Sequence, residues 1–271
     1  MNSLLPEWAA CRHVILGMVH VPALPGSSKY EGDPTLIEDA VLRDAQALCD
    51  GSVDGLMLEN FGDSPFAKGR VDATTVAWMT RLATAVKQRF SVPLGVNVLR
   101  NDGRSALAIA QAVDAQFIRV NILAGARVTD QGVIEGISHS LLRDRARLGC
   151  RQIKIFADVN VKHSVALVSR DLRAEVSELV ERAGADALIV SGVATGQPAN
   201  AAELKEVHDT TVEVPVFVGS GVNEDNWDQF SLSCDGCIVG SSLKRDGRVE
   251  CPVDPERVKR LVGRIRQADV S

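Results

Sequence analysis

Residues 216–244 read VFVGSGVNEDNWDQFSLSCDGCIVGSSLK. Two short apolar runs, Val216–Gly221 and Gly236–Ser241, lead straight into Gly-Ser turns. The first turn is Val218-Gly219-Ser220-Gly221-Val222-Asn223, and the second is Val239-Gly240-Ser241-Ser242-Leu243-Lys244. Glycine lets backbone N–H groups come close to an anion, and a helix N-terminus adds positive potential. Such turns after the last two strands are where (β/α)8 barrels hold phosphate. Gly219, Ser220, Gly221, Gly240, Ser241 and Ser242 are therefore the candidate phosphate-binding residues. The plainer reading is two tight strand-to-helix turns with no ligand.

Working back from that stretch, six more apolar runs of the same kind appear. They are His13–His20, Asp54–Asn60, Val92–Leu99, Phe117–Leu123, Ile153–Asn160 and Ala187–Gly192. The eight runs start 20–41 residues apart, the spacing that parallel strands joined by crossover helices require. Helical periodicity fills the gaps at Leu36–Cys49, Thr74–Phe90, Arg104–Val113, Ile137–Leu148, Leu172–Ala183, Ala201–Val207, Glu224–Phe230 and Pro255–Ile265. An even count of eight units, with the paired turns at its end, predicts an α/β fold: a single (β/α)8 TIM barrel over residues 1–271. A doubly wound open sheet is the alternative.

Alternation along the strands sorts their side chains into two sets. Leu56 and Leu58, Leu94, Val96 and Val98, and Ile118, Val120 and Ile122 should face the helices. Met57 and Glu59, Gly95 and Asn97, and Arg119 and Asn121 should face the barrel interior. In the fifth run, Lys154, Phe156, Asp158 and Asn160 are assigned inward. An interior charge needs a partner, so Arg119 is expected to pair with Glu59 or Asp158.

Barrel chemistry collects at strand C-termini. There the sequence places His20, Glu59, Asp158, Lys162 and His163, the candidate catalytic residues. Asn60, Asn97, Asn121, Asn160, Ser191, Thr195 and Gly196 are candidate substrate-binding residues. Glu59 and Asp158 would divide acid and base work. Lys162 and His163 would stabilise developing negative charge or shuttle a proton. The long segment from Pro22 to Tyr30 reads as a lid, and Tyr30, Phe61 and Phe66 as an apolar pocket wall.

Other chemistries are weaker. No cofactor is evident. A divalent metal on His20, Glu59 and Asp158 is possible, but no HExxH occurs. Cys234-Asp235-Gly236-Cys237 lacks a second ligand pair and reads as a structural thiol pair. Net charge is −5, mean hydropathy is +0.04 and aromatics make up 4% of residues. No nucleic-acid footprint, signal peptide or membrane span is expected, so the chain reads as cytoplasmic with reduced cysteines. A small phosphorylated substrate, a sugar phosphate or a nucleoside-derived phosphate, is the expected partner, and a homo-oligomer the expected state.

Specific blocks carry a resemblance. They are Gly17-Met18-Val19-His20 with Leu24-Pro25-Gly26, Glu59-Asn60-Phe61-Gly62-Asp63-Ser64-Pro65-Phe66 and Gly95-Val96-Asn97-Val98-Leu99-Arg100-Asn101-Asp102. Asp158-Val159, Lys162-His163, Thr195-Gly196 and the two Gly-Ser turns continue it. Through these residues the chain resembles the BtpA/SgcQ family across nearly its whole length. The resemblance implies a barrel of the ribulose-phosphate-binding type. It leaves two functions open: a phosphosugar isomerase, epimerase, aldolase or lyase, or a non-catalytic factor in photosystem I or membrane-complex biogenesis.

Overall fold

The computed structural model describes residues 3–192, 194–211 and 213–270. Val193, which lies in sequence between the candidate residues Ser191 and Thr195, is outside them, as are Met1 and Asn2. Eight parallel strands close into a barrel. They are β1 (Val14–His20), β2 (Gly55–Glu59), β3 (Leu94–Asn97), β4 (Phe117–Val120), β5 (Lys154–Asp158), β6 (Ala187–Ser191), β7 (Val216–Gly219) and β8 (Gly236–Val239). Each pairs with its sequence neighbours, and β8 returns to β1. This excludes the open sheet.

Helices α1 (Pro34–Asp50), α2 (Ala73–Arg89), α3 (Gly103–Ala112), α4 (Ser138–Arg147), α5 (Leu172–Ser177), α6 (Ala201–Thr210) and α7 (Pro255–Val270) wrap the outside. The helix expected over Glu224–Phe230 shrinks to one 3-10 turn, Trp227–Gln229. Asn223 and Asn226 hydrogen-bond neighbouring backbone there, which competes with helix propagation. Trp227 and Phe230 still bury completely.

Two apolar layers hold the barrel. Outward strand residues such as Leu56, Val96, Ile118 and Leu188 pack against the helices. Inside, Leu16, Met57, Phe117, Phe156, Ile189, Phe217 and Ile238 fill the lower barrel, and Trp8 closes its floor. Trp8 meets Phe117, Phe156 and Phe217 at ring-centroid distances of 5.8, 6.4 and 6.3 Å. The rings fit because two opposing positions lack side chains. A Cβ on Gly95 would sit 2.0 Å from the Phe117 ring, and one on Gly236 would sit 2.7 Å from Phe217.

Aspartates at strand starts set the register. Asp54 accepts from Ile15 N at 2.7 Å, Asp186 from Ile155 N at 2.9 Å and Asp235 from Val216 N at 2.8 Å. Arg266 clamps Asp54, and Arg145 clamps Asp186. Lys154, assigned to the interior, instead lies at the bottom rim, 3.8 Å from Asp186. It opens its strand, so the snorkelling ammonium reaches the floor of the barrel rather than its mouth.

A three-stranded antiparallel sheet of Ala126–Thr129, Gly132–Glu135 and Ser164–Ala166 stands above the β4 and β5 ends. Cys234 and Cys237 are buried and free, the first thiol pushed up to about 12 by burial and the second well above its usual range. That is the setting of inert, packed thiols.

Candidate functional site

Register places one polar layer above the aromatic rings. His20 lies beside Glu59, Glu59 beside Asn97, and Asn97 beside Arg119 on successive strands. Inward alternation then aims all four side chains at the barrel axis. Arg119 donates from Nη2 to Asp158 Oδ1 at 2.7 Å and from Nε to Oδ2 at 3.1 Å. Asn121 adds a bond to Asp158 Oδ2 at 2.7 Å. Asn97 reaches the Arg119 carbonyl and Asn121, at 3.1 and 3.4 Å. Burial works against the Arg119 cation, but the Asp158 charge and hydrogen bonds outweigh it and raise its pKa.

This geometry reassigns Asp158. Its side chain is 0% exposed, and both oxygens are engaged by Arg119 and Asn121. An acid/base group must reach its substrate, whereas the Asp158 oxygens are turned to Arg119 and Asn121. It fixes Arg119, while Glu59 keeps the open side. Among the described residues no hydrogen bond engages the Glu59 carboxylate, and His20 Nε2 stands 4.0 Å from Oε1.

His20 lies against Phe61, with ring centroids 4.7 Å apart. Its Nδ1 is buried without a partner. Burial, then the charges of Lys244, Lys162 and Arg119, push its pKa well below 6.5, so the imidazole is neutral at pH 7. Lys162 projects from the loop after β5. Burial pulls its pKa down, against the opposing pull of Glu59. His163 follows at a left-handed φ of 55°, with Nε2 3.3 Å from Thr195 Oγ1 and 3.4 Å from Thr195 N. Its pKa is lowered by burial and then by Lys162 and Arg100.

These residues line a cavity of about 1000 Å3 at the strand C-termini. His20, Glu59, Asn121, Lys162, His163 and Thr195 are on its wall, as are Tyr30, Phe61 and Phe66. A narrow cleft leads on from His20, Glu59, Arg119 and Lys162 to Gly219–Gly221 and Gly240–Ser242. The two turns are close-packed. Gly221 has φ 69°, and a Cβ there would lie 2.3 Å from Pro198 N. Ser220 Oγ accepts from Gly192 N at 3.0 Å, and Ser242 Oγ donates to the Val222 carbonyl at 2.5 Å. Behind them a second cavity of about 310 Å3 carries Arg257 and Arg260.

Not every candidate comes to the cavity. Asn60 is spent on loop structure, accepting from Leu99 N at 2.7 Å and donating to Asp63 at 3.0 Å. Asn160 lies beyond the strand end and turns outward to Glu203, at 2.5 Å. Ser191 donates to the Asn160 carbonyl at 3.1 Å. The lid segment is pinned at its base. Leu24 N donates to Asp63 at 2.8 Å, and a Cβ on Gly62 would strike Ala23 N at 2.3 Å.

Two cations escape the sequence reading. Arg100 is buried and donates to the Lys162 carbonyl at 2.6 Å, joining the loops after β3 and β5. Lys244 is buried against Asp44, with Nζ 2.5 Å from Oδ2. Lys244 closes the second Gly-Ser turn, the signal that marks it. Arg100 sits in a loop with no periodicity to aim it.

The donor set does not fit a divalent metal. Asp158 is occupied, while Arg119, Lys162 and Lys244 surround His20 and Glu59 with positive charge. Among the described residues no group of three or more His, Cys, Asp or Glu side chains is placed to hold an ion.

The BtpA family model matches residues 11–267. An uncharacterized protein of Thermococcus kodakarensis is 49% identical over 251 residues, covering 93% of this chain and 94% of its own length. The photosystem I biogenesis protein BtpA of Synechocystis is 44% identical over 248 residues, covering 92% and 86%. Among solved structures, N-(5'-phosphoribosyl)anthranilate isomerase from Pyrococcus furiosus superposes with a TM-score of 0.58 at 12% identity, covering 94% of this chain and 99% of its own. N-acetylmannosamine-6-phosphate 2-epimerase from Clostridium perfringens gives 0.54 at 14%, covering 95% and 93%. At such identities the structures speak for the fold. Among the described residues no helix is long and apolar enough to cross a membrane.

Proposed function

This chain belongs to the BtpA family, and from that premise we propose that it is an enzyme acting on a small phosphorylated metabolite by proton transfer. One observation carries the reading: an unengaged carboxylate, Glu59, faces the same cleft as both Gly-Ser turns. The turns would hold the phosphate. Glu59 would remove a proton from carbon next to a carbonyl. Lys162, with its ammonium weakened by burial, would return a proton or hold the charge that develops on oxygen. Arg119, fixed by Asp158, keeps the cleft wall positive without reorganisation. Neutral His20 would donate or accept a hydrogen bond.

Isomerisation and epimerisation begin with such a step; in aldol-type cleavage the same carboxylate would instead take the proton of the β-hydroxyl as the C–C bond breaks and its electron pair passes to the enolate. The names of the two solved neighbours, N-(5'-phosphoribosyl)anthranilate isomerase and N-acetylmannosamine-6-phosphate 2-epimerase, agree with that class. A cytoplasmic, homo-oligomeric enzyme is part of the same proposal. The name of the Synechocystis relative supports a rival, a factor for photosystem I biogenesis.

A thermal-shift screen of phosphorylated sugars against their unphosphorylated counterparts separates the two. A ligand at 100 times its Kd should stabilise the protein by ~2.7 kcal/mol. An assembly factor would leave every phosphorylated compound without effect, and that outcome would reject the proposal.

A further inference from the structure

The large cavity is not confined to the barrel mouth. It runs under the segment between β1 and α1 and over the barrel rim. There Ile37, Ala40 and Arg43 of α1 form one side, and the backbone turn at Val249–Pro252 forms another. The buried Asp44–Lys244 pair also lines the cavity, together with the residues of this outer lobe and with His20 and Glu59. A phosphorylated triose or pentose that spans the cleft and chamber would leave the lobe unfilled. Pockets of 300–1000 Å3 enclose drug-sized ligands, and this one is at the upper end.

The lobe's lining is of a particular kind. Tyr30 and Phe61 present rings near the chamber, and aliphatic carbons of α1 continue beyond them. Ala40 is small where the helix faces the lobe. That wall suits a flat, largely apolar group, and ring-on-ring contact rewards flatness.

Resting on the phosphate reading above, we infer that the substrate is a phosphorylated sugar bearing a ring substituent such as a nucleobase, with the ring in the lobe beneath the β1–α1 segment.

The test compares ribose 5-phosphate with a panel of nucleoside 5'-monophosphates, by calorimetry on the wild type and on Ala40→Phe. Phe at position 40 would fill the lobe from an α1 position that is only partly buried. At least one nucleotide should bind about tenfold or more tightly than ribose 5-phosphate. Ala40→Phe should abolish that advantage while leaving ribose 5-phosphate unchanged. Alkylation of Cys251, which lines the lobe, should slow with the nucleotide and not with ribose 5-phosphate. Equal affinities across the panel, or an advantage that survives Ala40→Phe, would overturn the inference and leave the phosphate reading standing. Failure of ribose 5-phosphate and every nucleotide to bind would overturn both.

Discussion

Arg119→Met removes the cation from a carboxylate that is fully enclosed. Asp158 would keep only Asn121 as a partner, because both Arg119 bonds, at 2.7 and 3.1 Å, disappear. Breaking a buried pair in this way costs roughly 3–5 kcal/mol. At about 2–3 °C per kcal/mol for a chain of this size, the unfolding midpoint should fall by ~6–15 °C. Replacing both partners tells a different story. In Arg119→Met with Asp158→Leu no charge is stranded, and swapping a buried ion pair for apolar groups is often neutral. The double variant should therefore recover most of the loss, leaving a coupling energy of at least ~2 kcal/mol in the cycle. Denaturant melts of the four proteins measure it. If the double variant loses the sum of the two single losses, the pair is not coupled and the anchoring role of Asp158 is wrong.

Glu59→Gln should cut turnover on a phosphorylated substrate by about 10²–10⁴ with little change in the melting temperature, whereas Asp158→Asn should lower both. Because the His20 pKa lies well below 6.5 in the folded protein, the unfolded chain binds the extra proton first, so stability is complete above 6.5 and falls as pH drops toward the folded value. His20→Gln should flatten that acid-side slope in denaturant midpoints taken between pH 7 and pH 4, and an unchanged slope would contradict the assignment. Gly221→Ala meets both a left-handed φ of 69° and backbone 2.3 Å away. It should weaken stabilisation by phosphorylated ligands about tenfold or more, while Gly26→Ala, also at positive φ but with open space around it, should leave ligand binding intact.

Period-two alternation made the interior legible: Glu59, Asn97, Arg119 and Phe156 all point where their strands require. The reading broke wherever a residue left the strand. Lys154 and Asn160 share the parity of Asp158, yet one begins its strand and the other has passed its end, so parity no longer fixes their direction. The small antiparallel sheet escaped because Ala126–Thr129 and Gly132–Glu135 are largely exposed and carry no continuous apolar run like those of the barrel strands. Their turn, Asp130-Gln131 before Gly132, carried the signal. For Asp158 the alternation carried the pairing with Arg119, but not that Arg119 and Asn121 together engage both of its oxygens.

The Trp8 floor also bears on how this chain is made. Its tryptophan is translated well before the rings that shelter it, Phe117, Phe156 and Phe217. At ~5–20 residues per second, the wait for Phe217 is roughly 10–40 s. Throughout that interval a bulky indole on the nascent chain is without its shelter. Newborn chains would hold a natural handle for chaperones there, and one that vanishes when the final strands arrive.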